Sequence, residues 1–220
     1  MAARKTGRGA RRRRGAAGDS PSPEAVALEG ALAKIVGHLR ALDVRFALVG
    51  GLAVSARCAP RFTRDADLAI AVENDAEAEA LIFKLAQLGY RVDASVEQQR
   101  TKRLATIRLI HSALSGVYVD LLFASSGIER ELVARADQLK LAAGVVLPIA
   151  SIGELLALKI LSRGPRRLQD DLDLQALLEA SSARDRRVAE RNLELIRERG
   201  YARGKNLKAE WKRVLTKFAK

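Results

Sequence analysis

Apolar residues at Val26, Leu28, Leu32, Ile35, Val36, Leu39 and Leu42 recur three and four apart, which gathers them on one stripe of a helix. The stripe follows the two prolines of "SPSP", and proline suits a helix start because the first N–H groups have no partner there. "VRFALVGG" then reads as a buried strand closed by a double glycine, and "LAVSARCA" as a short helix leading to Pro60. "DADLAIAV" is the next strand, "NDAEAEALIFKLAQLG" a helix ended by Gly89, and "YRVD" a further extended piece. "LATIRLIH" and "GVYVDLLFA" have the pattern of a hairpin around "SALSG".

The second half is helical in pattern. "SIGELLALKILSRG" opens with Ser151 and Glu154 at capping-box spacing and stops at Gly164-Pro165. "LQDDLDLQALLEA" and "DRRVAERNLELIRERG" follow as two more helices. Leu207, Trp211, Val214, Leu215 and Phe218 then form a last helical stripe, read as packing on the domain rather than on a membrane surface. Strands that alternate with helices and then pair predict an α+β (mixed α/β) fold, a small mixed β-sheet flanked by helices and followed by a C-terminal helical region. The expected division is a disordered arm over 1–22, a core over 23–125 and the helical region over 126–220.

Charge changes the picture at both ends. The net charge of +13 points to a polyanionic partner, and nothing in the chain is long and apolar enough to read as a membrane span, so a cytoplasmic protein is expected. Arg4, Lys5, Arg8 and Arg11 to Arg14 lie in a Gly/Ala-rich head with no acid before Asp19. That head is either a solubilising start or a flexible arm that holds phosphates by charge alone. With one cysteine, Cys58, and two distant histidines, His38 and His111, the chain lacks a cysteine/histidine zinc pattern, so any metal is expected to be oxygen-bound.

The candidate chemistry lies in three aspartates. Asp65 and Asp67 stand two apart at the start of a strand and so share one face. Asp120 interrupts the apolar "VYVDLLF", where a lone carboxylate is costly to bury. If the two strands are neighbours, three carboxylates meet and call for a cation, for which oxygen-only ligands favour Mg²⁺ or Mn²⁺. Gly50-Gly51, between a strand and a helix, leaves room for a phosphate to approach the backbone.

Taken together, "LVGGLAVSARCAPRFTRDADLAI" and "VYVDLLF" resemble the nucleotidyltransferase superfamily, and more narrowly its AbiEii/AbiGii toxin-type branch. The branch's Arg-x-Thr-x-Asp-x-Asp matches Arg61, Thr63, Asp65 and Asp67. Its helix lysine matches Lys159, and its Arg-x-x-Asp-x-x-Asp matches Arg167, Asp170 and Asp173. The resemblance implies that Asp65 and Asp67 hold two Mg²⁺ or Mn²⁺ ions and that Asp120 binds one of them. It implies that Gly50 and Gly51 cradle the triphosphate of an NTP substrate with Thr63 and Arg64 nearby. Lys159 would offset phosphate charge, with Asp170 and Asp173 orienting it or placing the base. Gly51 stands where much of the superfamily has serine, and the extra acid in Asp170-Asp171 leaves the register of the last motif open.

The implied activity is transfer of an NMP from an NTP, with ATP binding included, to an acceptor hydroxyl. The basic charge favours RNA, such as a tRNA 3′ end, and the branch implies a toxin role with a cognate antitoxin as partner. Transfer to a small aminoglycoside-like molecule or a protein, and a non-catalytic nucleic-acid binder, are the alternatives.

Overall fold

A computed structural model of the chain describes residues 22–58, 63–114, 116–141, 144–164 and 168–218. Most of the basic arm, together with Arg61 and Arg167, lies outside the described residues. Among those described, the chain forms seven strands and eight α-helices.

Helix α1 (Pro23–Ala41) is capped by Ser22, whose hydroxyl accepts from the Ala25 N–H, and begins on Pro23 itself. Strand β1 (Phe46–Val49) is buried throughout and runs straight into α2 (Gly50–Arg57). After β2 (Asp65–Ile70) come α3 (Asp75–Gln87), capped by Asn74, and the hairpin of β3 (Tyr90–Glu97) and β4 (Leu104–His111). A single 3-10 turn over Ser112–Leu114 leads to β5 (Tyr118–Leu122).

The expected helical region contains two strands. After α4 (Glu129–Arg135), β6 (Asp137–Lys140) and β7 (Val146–Ile149) join the sheet beside β1. Four-residue strands with polar positions and Pro148 carry no strand signal of their own, and only pairing with an existing edge makes them strands. Then follow α5 (Ile152–Ser162), held by the Ser151/Glu154 capping box, α6 (Leu168–Ala180), α7 (Ala183–Glu198) and α8 (Leu207–Phe218).

The sheet order is β3-β4-β5-β2-β1-β7-β6. The β2/β5 and β1/β7 pairs are parallel and the others antiparallel. Burial of every residue in β1 means that both faces of the sheet centre are covered. By contrast β3 is exposed beyond Tyr90, and it extends four residues past the expected "YRVD". Leu48, Leu68 and Leu121 of the sheet join Ile35 of α1, Leu156 of α5, Leu174 of α6 and Ile196 of α7 in one apolar core. Helix α2 packs against β1, β2, α5 and α6. It therefore links the sheet to the C-terminal helices where the candidate residues lie.

Candidate active site

Antiparallel pairing sets Val49 of β1 opposite Asp67 of β2, and parallel pairing sets Asp67 opposite Asp120 of β5. Cross-strand partners share a face, and Asp65, two residues before Asp67, shares it too. The three acids singled out in the sequence therefore stand together at the start of β2.

Since β1 ends opposite Asp67, the chain turns into α2 directly beside that carboxylate. Gly50 makes the turn at φ +64°, and a Cβ there would lie 1.9 Å from Asp67 Oδ2. Both the backbone and the space demand glycine. Gly51 is buried, and its N–H donates to Asp67. Burial pushes the Asp67 carboxyl up to about 6; Asp120 and Asp65 push the same way, against Lys159 and the Gly51 N–H.

Asp120 has a partner that the sequence reading missed. Arg108 of β4 stands opposite it, donating from Nε and Nη2 to its two oxygens at 2.8 and 2.7 Å. Nη2 also lies 3.7 Å from Asp65 Oδ2. The guanidinium sits over the Tyr118 ring, 4.8 Å from its centre. The hydrogen bond to Asp120 raises the Arg108 pKa further, so this group stays charged. The signal was present in the chain: Arg108 interrupts "LATIRLIH" as Asp120 interrupts "VYVDLLF", on the two arms of one hairpin.

The remaining candidates form a second cluster. Lys159 Nζ of α5 lies 3.2 Å from Asp170 Oδ1 and 2.7 Å from Asp173 Oδ2, both on α6. Asp173 is 1% exposed and also accepts from Gln169, while Asp170 accepts from Ser162. The extra acid, Asp171, points elsewhere, to Arg163 and Lys217. Hydrogen bonds from Arg163 and then Lys217 hold Asp171 down to about 2. Lys159 acts on Asp67 through space and so couples the two clusters. Thr63, half-buried, and Arg64, exposed, directly precede β2.

Cys58 is half-buried, and burial pushes its thiol up, away from the reactive thiolate. His38 and His111 flank Tyr90 in edge-on ring contacts, and the His38 Nδ1 is 3.1 Å from the Tyr90 hydroxyl.

Among the described residues no three His, Cys, Asp or Glu side chains close into an ion cage as they stand. In the sheet cluster Arg108 spans the gap between Asp65 and Asp120. The donors there are nonetheless all oxygens, and among the described residues Asp67 has no ion pair of its own. That chemistry fits Mg²⁺ or Mn²⁺.

The family model described as the nucleotidyl transferase AbiEii toxin of a type IV toxin–antitoxin system matches residues 35–219. Among solved structures, the chain resembles an antigenic nucleotidyltransferase-like protein from Paracoccidioides brasiliensis at 18% identity and TM-score 0.49, covering 85% of this chain and 93% of that one. It resembles lincomycin-bound lincosamide antibiotic adenylyltransferase LnuA at 17% identity and TM-score 0.48, covering 70% and 98%. The likeness to ANT(2")-Ia in complex with adenylyl-2"-tobramycin is 14% identity and TM-score 0.48, covering 77% and 97%. No curated protein matches the chain. Among the described residues no helix is long and apolar enough to cross a membrane.

Proposed function

The chain belongs to the AbiEii nucleotidyl transferase toxin family and is a nucleotidyltransferase, and on that premise we propose that it moves an NMP from an NTP to an RNA hydroxyl, a tRNA 3′ end in the first instance. The observation that carries the reading is the register that brings Asp67 opposite Asp120 and seats Gly50 against Asp67. Asp65, Asp67 and Asp120 would hold Mg²⁺ or Mn²⁺, which when bound neutralises phosphate charge and makes the attacking hydroxyl more acidic.

The chain's own groups do the rest. The bare backbone at Gly50-Gly51 lets the triphosphate approach, and the first N–H groups of α2 donate to its oxygens. Asp120 takes the proton as the acceptor oxygen bonds to the α-phosphorus, and the bond to the bridging oxygen breaks to release pyrophosphate. Lys159 adds positive charge beside the phosphates, and Asp170 and Asp173 keep its ammonium in place. An RNA acceptor is favoured by the net charge of +13 and by Arg184, Arg187 and Arg191, which are exposed along α7 and have no ion-pair partner among the described residues. On this reading the protein is a toxin that acts by modifying RNA ends, with a cognate antitoxin as its partner.

The test is incubation with total RNA, Mg²⁺ and each α-labelled NTP in turn, with Asp67→Ala as control. Label on a tRNA-sized band that requires Asp67 is the expected result. Pyrophosphate release without label on RNA overturns the acceptor, and no Mg²⁺-dependent pyrophosphate with any acceptor overturns the proposed reaction.

A further inference from the structure

Across β1, β2, β5 and β4 runs one row of cross-strand partners: Val49, Asp67, Asp120, Arg108. The transfer chemistry above uses the two acids and leaves the arginine without a task. Yet Arg108 is held with care. Its fork meets both oxygens of Asp120, its Nη2 leans toward Asp65, and the Tyr118 ring lies against its charged plane. A guanidinium cannot shed its proton, so this charge can be moved but not neutralised.

Its position conflicts with an ion at the same acids. A small divalent cation needs carboxylate oxygens at about 2.1 Å. In the structure those oxygens on Asp120 already accept from Arg108, and two cations that close repel strongly where water is scarce. The arginine engages Asp65 and Asp120, while Asp67 has no ion pair among the described residues and takes its favourable contacts from the Gly51 N–H and the charge of Lys159. With its side chain 34% exposed, Arg108 has a way out toward solvent.

We propose that Arg108 is a positioning residue that serves as a built-in counter-cation: it holds Asp120 and Asp65 in place before ion binding, competes with the divalent ion for them, and must leave Asp120 for the ion to bind. The inference rests on the metal-dependent reading of the three acids given above. Once displaced, the fork becomes a planar double donor at the edge of the site, a geometry suited to phosphate oxygens.

The experiment is a titration of the full chain with Mn²⁺ alone, without nucleotide, read by the electron paramagnetic resonance of the free ion. Wild type is compared with Arg108→Gln and Arg108→Lys. Loss of a charged bidentate contact predicts that Arg108→Gln binds Mn²⁺ about tenfold tighter or better, with Arg108→Lys in between because it keeps the charge and loses the fork. Equal or weaker affinity in Arg108→Gln, with wild type binding Mn²⁺, overturns the inference and leaves the transfer reading standing. Absence of Mn²⁺ binding in all three proteins overturns both. Should the glutamine variant not fold, the wild type answers alone through the ¹⁵N resonance of the Arg108 Nε–H. That signal is expected to shift as Mg²⁺ saturates the protein, and a signal unchanged at saturation overturns the proposal.

Discussion

Two groups of three aspartates lie against the two sides of the link made by α2, and their charge balance is opposite. In the sheet, the ion pairs of the three acids among the described residues are those of Arg108 with Asp65 and Asp120. On α6, among the described residues, Lys159 pairs with Asp170 and Asp173, and Arg163 and Lys217 pair with Asp171. The carboxyls register the difference directly. Burial beside like charges pushes Asp67 up to about 6, whereas Arg163 and Lys217 hold Asp171 down to about 2. A cluster short of positive charge is poised to accept a cation, while a balanced one can only hold its own cations still. On the proposed function the two groups divide the work: the sheet acids would recruit charge, and the helix acids would aim Lys159.

Breaking the balanced cluster should have the largest effect. Lys159→Met removes the ammonium that pairs with both buried carboxylates, Asp170 and Asp173, and loss of one partner from such a group costs roughly 3–5 kcal/mol. Denaturant unfolding checks this, and transfer should be lost as well. Adding Asp170→Asn and Asp173→Asn removes the stranded charges, so most of the stability should return while transfer stays lost. Recovered transfer in that triple variant would mean that Lys159 only holds α5 to α6.

Relieving the strained cluster is the next step. The folded-state carboxyl of Asp67 lies above its ordinary value of 3.8, at about 6. Its ionised form is therefore disfavoured by folding. The cost is fully present above pH 6 and fades as the pH falls toward 4. Asp67→Asn removes the charge and keeps the shape. At pH 7–8 it should be more stable than wild type by roughly 3 kcal/mol, with the gap closing toward pH 4. Unfolding curves across that range are the check. A gap that does not vary with pH would mean that the carboxylate is not short of positive charge.

Much of this contrast was legible in the chain, for a physical reason. Asp65, Asp67 and Asp120 stood out because a carboxylate in an apolar strand breaks a period-two pattern that burial otherwise enforces. The Ser151/Glu154 box and the stripe of α1 were readable because capping and helical spacing are local. What escaped notice depended on contacts between distant segments. Arg108 acquires its role only when the hairpin register sets it opposite Asp120, and β6 and β7 are strands only because the open edge of β1 receives them. The register of Asp170 and Asp173 could not be fixed until α5 and α6 were packed and Lys159 chose between neighbouring acids.

The smallest expected effect comes from Asp171, and it tests whether the balanced cluster is passive. Its carboxyl is depressed in the folded state, so it stabilises the protein above its ordinary value of 3.8, and that contribution is lost as the pH falls toward 2. The side chain is 25% exposed, so water and salt screen the pairs with Arg163 and Lys217. Asp171→Asn should therefore cost less than about 1 kcal/mol, and less again at high salt. Transfer should be unchanged, because Asp171 faces away from Lys159 while Asp170 and Asp173 keep their hold on it. Thermal unfolding at low and high salt measures the first effect, and labelled-NTP transfer the second. A several-fold fall in transfer would show that the outer ion pairs of α6 help to set the position of Lys159. The division between a recruiting cluster and a holding cluster would then have to extend to every cation on that helix.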